Sequence, residues 1–506
     1  MSKITKQDVV EWANKYLGPE SYAIIYKREG KDPDEQKIAA PKITPIVTNR
    51  DSQSEFLSEI QTSQVQPIEP VFVDYKKDMS QFEAQPGIDV LYKKNETNDI
   101  FTLIYVFNTG TENDPALNLA FNYLSYLGTD KMTAEEIASE MYDIACSFYM
   151  NAGANQSSIQ ITGLSENMGK AMEIVEGLIA GAKPDEAILE NCKADMLKSR
   201  ADAKLNQSRC FGALQRYLFY GGDFIRRTTL TDPALQALTS EQLLAKIGGL
   251  MGKQHEVLYY GPQKEAEVKS ALAEHHKVAT DLQPLEKKFS TLLPTDANKV
   301  VLAQYDAKQL YYLQFSNRGE KFDVAADPEI TLYNEYFGGG MNTIVFQEMR
   351  EARGLAYTAW ATLATPSNAN GDYSYYAFIA TQNDKMQKAV EAFDDIINNM
   401  PESEKAFGIA KEALVSRLRT ERTVKDGVLW SYLRARDLGL DAPRDKQIFE
   451  KVQSMTLDDV KAAQQKWVKG RKYVYGILGD IQDLDLNYLK TLGPIQTVSQ
   501  EEIFGY

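Results

Sequence analysis

Apolar and polar positions along this chain switch between a helical and a strand period, and the switch recurs. After Thr5, the run KQDVVEWANKY carries apolar residues at helical spacing, Gly18-Pro19 breaks it, and residues 22–26 are β-rich. The pattern predicts a capped helix followed by a strand. The same unit returns as LTSEQLLAKIGGLMGKQHEVLYYG (238–261) and as MTLDDVKAAQQKWVKGRKYVYGILG (455–479). In each copy an apolar residue precedes a threonine suited to an N-cap: Thr5, Thr239 and Thr456. The copies are spaced by 239 − 5 = 234 and 456 − 239 = 217 residues, which sets a long internal repeat.

The bodies between these units share a pattern as well. DVLYKKNETNDIFTLIYVF (89–107) predicts two strands about a turn. Thr133 with Glu136 forms a capping box. SSIQITGL (157–164) reads as a strand, and ENMGKAMEIVEGLIAGA (166–182) as a helix. A long charged helix or helix pair follows from Pro184 to about Leu218. In the second block EMREARGLAY (348–357) lies over EMYDIACSFY (140–149), and YAFIATQNDKMQKAVEAFDDII (376–397) lies over SIQITGLSENMGKAMEIVEGLI (158–179). The expected organisation is therefore a tail of a preceding repeat (1–27), an extended linker rich in Pro, Gln and Ser (28–78), and a first complete repeat (79–265). A connector (266–290), a second complete repeat (291–490) and a C-terminal tail (491–506) follow. On this reading the chain is the C-terminal part of a longer molecule.

Bulk properties narrow the function classes. A chain of 506 residues with 43% apolar content can build several cores. Its 56 Lys and Arg stand against 71 Asp and Glu, a net charge of -15, which argues against a nucleic-acid backbone as partner. No apolar run reaches the roughly 18 residues a membrane helix needs, and MSKITKQDVV lacks the apolar core of a signal peptide. A soluble protein of the cytoplasm or periplasm is expected. Cys146, Cys192 and Cys210 are odd in number and lack metal-type spacing, so reduced thiols are expected. His255 reads as structural, and His275-His276 as a solvated pair in a charged connector. No order of Ser, His and Asp or of Cys and His supports nucleophilic catalysis.

The stretch GGGMNTIVFQEMREARGLAY (338–357) carries the most distinctive chemistry. No Gly-Lys-Ser/Thr follows its glycines, so a tight turn with close backbone approach is expected rather than a phosphate cradle. A helix should end near Arg353 with Gly354 as a left-handed cap. Arg350 then lies in the last helical turn and Tyr357 in the next strand, where a turn can bring guanidinium and phenol to one surface. Both donate hydrogen bonds and can hold a carbonyl or an oxyanion. The residues alone equally allow Arg350 to favour a helix C-terminus and Tyr357 to pack on a neighbour.

The same stretch resembles the C-terminal half signature of the insulinase/pitrilysin family of zinc peptidases, the inverzincins. The resemblance extends over nearly the whole chain and implies an α+β fold: tandem repeats of a largely antiparallel sheet packed with helices, as in insulinase and the mitochondrial processing peptidase. In that family zinc is held by H-x-x-E-H on a helix of the first repeat, with a Glu from a later helix. The matching positions here are Leu119, Asn122 and Tyr123 in LAFNYLSYLGT (119–129), and the later helix is basic, NCKADMLKSRADAK (191–204). The resemblance therefore implies no metal and no cofactor in this chain, with zinc in an N-terminal half, covalent or separate. It implies that Arg350 and Tyr357 bind the peptide substrate at that half's zinc site, and that this chain alone is inactive. In the sequence overlay Tyr142 stands where Arg350 stands, and Tyr149 matches Tyr357. A catalytically inactive scaffold of the same fold is the competing expectation.

Overall fold

Thr5 caps the first helix, α1 (Lys6–Tyr16), and its capping box with Asp8 is complete. The computed structural model describes residues 3–18, 22–26, 30 and 54–506. Two units separate along the chain, Met1–Pro67 and Ile68–Tyr506. The first also contains α2 (Glu55–Thr62). Residues 22–26, expected as a strand, adopt no regular structure there. A lone strand gains no hydrogen bonds until neighbours flank it. Most of the expected linker 28–78 lies outside the described residues, and its end forms α3 (Tyr75–Asp78).

The second unit holds both repeats. The first runs through β1 (Ser80–Gln85), β2 (Ile88–Lys94), β3 (Ile100–Phe107), α4 (Leu117–Leu124) and α5 (Ala134–Asp143). It continues with β4 (Cys146–Ala152), β5 (Ser157–Leu164), α6 (Met168–Gly181) and the helix pair α7 (Glu186–Lys204) and α8 (Gln207–Thr228). It ends with α9 (Asp232–Ala237), α10 (Ser240–Met251), β6 (His255–Gly261) and α11 (Glu265–His275). The second repeat has β7 (Lys299–Gln304), β8 (Gln309–Ser316), α12 (Asp327–Phe337), α13 (Ile344–Phe346), β9 (Thr358–Ala364) and β10 (Ser374–Gln382). Then come α14 (Met386–Asn398), α15 (Glu404–Thr420), α16 (Gly427–Asp437), α17 (Arg444–Val452) and α18 (Leu457–Ala463). The chain finishes with β11 (Val474–Gly479), α19 (Leu486–Leu492), β12 (Ile495–Val498) and α20 (Gln500–Phe504).

Each repeat builds a six-stranded mixed sheet. The orders are β1-β2-β6-β3-β5-β4 and β12-β7-β11-β8-β10-β9. Five strands of one sheet correspond to five of the other. The two sequence runs about the turn at 95–99 become β2 and β3, but they do not pair with each other. The strand of the closing unit, β6, enters between them, parallel to β2 and antiparallel to β3. β11 enters the same way between β7 and β8. Every residue of β6 and β11 is buried, as a central strand requires. The helices of the two closing units, α10 and α18, have capping boxes at Thr239 and Thr456 and pack on α4 and α12.

The sheets bury their second faces by exchange. α8 of the first repeat lays Phe211, Leu214 and Leu218 on Leu313, Phe315 and Leu478 of the second sheet. α16 of the second repeat lays Val428, Leu429 and Leu433 on Leu91, Ile104 and Leu258 of the first. Arg436 of α16 adds a two-pronged ion pair to Glu256 of β6, its Nη2 lying 2.8 Å from Oε2. The expected connector and tail take part in this packing. α11 buries Val268 and Leu272 in the first core, while β12 extends the second sheet beside β7 and α20 packs on α8. Leu214→Ala and Leu433→Ala are each expected to cost about 2–4 kcal/mol. Denaturant titration with hydrogen exchange should show that Leu433→Ala lowers protection in β2, β3 and β6, which belong to the other repeat.

Candidate functional site

Arg350 and Tyr357 meet at the edge of the second sheet. α13 continues as a widened π-helical turn, Gln347–Ala352, a feature that often marks functional positions. The helix stops at Arg353, and Gly354 takes φ +58°, a conformation that favours glycine. The Leu355 N–H then donates back to the Met349 carbonyl at 2.9 Å, which reverses the chain toward β9. Tyr357 sits one residue before β9 rather than inside it. The glycine turn ahead of α13 works by close approach. A Cβ on Gly338 would fall 1.9 Å from the Ala361 carbonyl oxygen, and the Ala361 N–H donates to the Gly338 carbonyl at 3.0 Å.

This turn places the Arg350 guanidinium over the Tyr357 ring at 4.6 Å and over the Phe346 ring at 5.0 Å. Its Nε lies 3.5 Å from a Glu351 carboxylate oxygen. Among the described residues, the terminal nitrogens of Arg350 and the hydroxyl of Tyr357 have no hydrogen-bond partner. Tyr357 is 72% exposed. The neighbouring Arg353 is instead spent on Glu348 at 3.4 Å and Asp395 at 3.0 Å. The pair is thus a stacked cation and phenol with unused donors facing outward. Phe346 had no place in the sequence reading. Its signal was the i, i+4 spacing to Arg350, which puts the two on one helix face.

The register corrects the overlay of the two repeats here. Met168 and Met386 open equivalent helices, so Gln160 of β5 corresponds to Phe378 of β10. Gln160 pairs with Tyr149, whereas Phe378 pairs with Trp360. Tyr149 therefore matches Trp360. Tyr357 matches Cys146, which pairs with Gly163, the counterpart of Thr381. Counted back from the left-handed residues Ala145 and Gly354, Arg350 falls on buried Met141 rather than on Tyr142. The first repeat has neither group at the equivalent place.

The three positions matched to H-x-x-E-H lie on α4. Leu119 and Tyr123 are fully buried in the first core, and Asn122 is exposed. The Tyr123 hydroxyl donates to Ser240 Oγ at 2.7 Å and accepts the Asp185 N–H at 2.7 Å, pinning α4 to the starts of α7 and α10. On α7, Lys193 is buried and paired with Glu190 at 2.7 Å. These residues do not fit a zinc ion. Among the described residues no group of three or more His, Cys, Asp or Glu is placed to hold a metal. Cys146, Cys192 and Cys210 are free and buried, and burial pushes each thiol up.

The histidines depart from expectation. His276 is not solvated: it is 3% exposed, and its Nδ1 lies 2.7 Å from Glu176, which also accepts from the Tyr105 hydroxyl at 2.7 Å. Its Nε2 faces His255 Nε2 at 2.9 Å. His255 Nδ1 must donate to the Lys253 carbonyl, so its Nε2 accepts and His276 Nε2 donates. A proton added to His255 Nε2 would set two N–H groups against each other. His275 turns instead to Glu173, with Nδ1 3.3 Å away. Burial and His276 hold His255 at about 4, against an ordinary 6.5. Between these values the unfolded chain binds a proton that the folded chain excludes. Stability should therefore fall by roughly 3 kcal/mol as pH drops from about 6.5 to about 4. Urea titrations at pH 7 and pH 5 measure this slope, which His255→Gln should flatten.

Residues 254–414 match the family model described as the peptidase M16 inactive domain. A Rickettsia bellii protein named as an uncharacterized zinc protease is 23% identical over 312 residues, covering 59% of this chain and 70% of the relative. A Streptomyces coelicolor protein of the same description is 22% identical over 266 residues, 49% of this chain and 56% of that one. In structure, the chain is similar to a peptidase M16 inactive domain from Pseudomonas fluorescens, with TM-score 0.63, 18% identity, and coverage of 79% and 98%. The Escherichia coli periplasmic protease PqqL matches at TM-score 0.59 and 12% identity. The ferredoxin protease FusC, solved with Arabidopsis ferredoxin, matches at TM-score 0.63 and 13% identity. Each match covers 94% of this chain but 51% of the other, so the chain spans about half the length of those two proteases. Among the described residues no helix is long and apolar enough to cross a membrane.

Proposed function

We propose that the chain, residues 254–414 of which match the peptidase M16 inactive domain, is the non-catalytic half of a zinc peptidase of that family. It forms one side of a peptide-binding chamber. Its partner is an N-terminal half that carries the zinc ligands, joined covalently or supplied as a separate chain. Arg350 and Tyr357 reach that half's zinc site and hold the carbonyl oxygen of the bound peptide as it gains negative charge.

The observation that carries this reading is the unspent donor pair. An arginine whose terminal N–H groups were all paired would serve the fold. Arg350 is instead held by two aromatic rings, which fix its plane without using its terminal N–H groups. The phenol beneath it is exposed and free to donate. Such prealigned donors stabilise a developing oxyanion by about 2–4 kcal/mol each, because little reorganisation is needed as charge forms. Metal chemistry belongs to the other half on this reading, since Leu119 and Tyr123 fill the core where ligands would stand.

Arg350→Ala in the assembled enzyme is expected to lower kcat/KM by about 10²- to 10³-fold. Its melting temperature should stay close to that of the parent, because the side chain lies at the surface. Tyr357→Phe should lower kcat/KM less while keeping the stacked ring. Peptide hydrolysis and thermal unfolding measured on the same preparations check both. A parent-like kcat/KM for Arg350→Ala would remove the assignment and leave a scaffolding role.

A further inference from the structure

We propose that the core of the second repeat holds a cluster of ordered water molecules between Asp394 and Tyr473, in the place that the His276 imidazole takes in the first repeat. The inference concerns the interior of this chain and stands apart from the peptidase reading.

The unmet polar groups converge on one face of the second sheet. Among the described residues ten buried side-chain atoms have no hydrogen-bond partner, and five of them belong to Tyr312, Gln314, Tyr375 and Tyr473. They are the three phenol hydroxyls and both polar atoms of the amide. All four residues are between 0% and 6% exposed. The register gathers them. Gln314 of β8 stands between Ala377 of β10 and Tyr475 of β11, and Tyr375 of β10 pairs with Ser316, two residues further along β8. The Tyr473 ring lies 6.1 Å from that of Tyr375 and 5.8 Å from that of Tyr475, which in turn lies 6.1 Å from that of Tyr312. The strand backbone around them is spent on the sheet ladder and offers no partner. Asp394 of α14 closes the place from the helix side. Burial, with the Asp394 charge adding to it, raises the phenols of Tyr312, Tyr375 and Tyr473. Burial also raises the Asp394 carboxyl, to about 6, and the Gln314 amide beside it stands outside hydrogen-bond geometry.

The first repeat shows how the same place is satisfied. Glu176 and Asp394 each lie eight residues after the methionine that opens their helix, Met168 or Met386. Tyr105 corresponds to Gln314, because its partner Ile159 and the Gln314 partner Ala377 each lie nine residues before that methionine. Tyr105 also pairs with Val257 and Gln314 with Tyr475, so His255 corresponds to Tyr473. In the first repeat His276 enters from beyond α11 and joins Glu176, at 2.7 Å, to His255, at 2.9 Å. Among the described residues no side chain makes this join between Asp394 and the Tyr473 hydroxyl. The groups left there require an occupant that both donates and accepts. Gln314 needs an acceptor at Nε2 and a donor at Oε1, an ionised Asp394 only accepts, and the phenols do either. A cation accepts nothing from Gln314. Water fills both roles, and a buried water makes about three such bonds.

Crystals of the full chain at a resolution that orders internal water test this directly. Water density within about 3.2 Å of Tyr473 Oη and of a Gln314 amide atom is expected. Phenols and amide bonded to one another or to Asp394, with no water among them, would overturn the proposal. Urea titration of the full chain gives an independent reading in solution. Tyr473→Phe and Gln314→Leu each remove a group from the cluster, so the ratio of unfolded to folded protein should rise by about fivefold or more. A buried hydroxyl without a partner carries a desolvation cost that phenylalanine removes. Unchanged or greater stability of Tyr473→Phe would therefore overturn the proposal as well.

Discussion

The second unit depends on one exchange: each sheet buries its second face under a helix of the other repeat. A mixed sheet with apolar residues on both faces needs two covers. Its own helices supply one, around α4, α6 and α10 in the first repeat and α12, α14 and α18 in the second. The other cover is α16 on the first sheet and α8 on the second. Neither repeat can withdraw its helix without exposing its neighbour. The result is one cooperative body from two similar ones, reinforced where Arg436 meets Glu256.

That rigidity gives the edge of the second sheet its precision. β9 is held by β10 on one side and by α12 on the other, where Asn334 exchanges hydrogen bonds with the Leu363 backbone at 2.8 and 2.9 Å. The helix turn before β9 can then be widened and reversed at Gly354 without loosening the sheet. Two rings hold a charged side chain in a partly exposed place while its donors stay free. A salt bridge through its terminal nitrogens would have used those donors, whereas the Glu351 carboxylate engages Nε alone.

The polar groups inside the first repeat are paired with one another. Tyr105, Glu176, His276 and His255 form a buried chain in which each polar atom has a counterpart. The same logic governs Tyr123, whose hydroxyl accepts the Asp185 N–H at one helix start and donates to the Ser240 hydroxyl at another. Burial is tolerated in both places because the groups are paired. These residues hold the fold together, and the histidine chain ties it to pH.

Much of this was legible in the order of residues. Capping threonines, the periods of the strands and helices, the cap at Gly354 and the repeat itself are local features set by backbone sterics and side-chain hydrogen bonding within a few residues. Leu119, Asn122 and Tyr123 visibly depart from the His, Glu and His of the H-x-x-E-H pattern. What sequence could not supply was distance between parts far apart in the chain. It could not place β6 between β2 and β3, bring His276 to Glu176, or exchange α8 and α16 between sheets. It also misaligned Tyr149 with Tyr357, because a widened helical turn and a shifted strand start leave little trace in residue type. Local chemistry determines which elements form. Only packing, which must bury every apolar face at once, decides which residues from distant elements stand together.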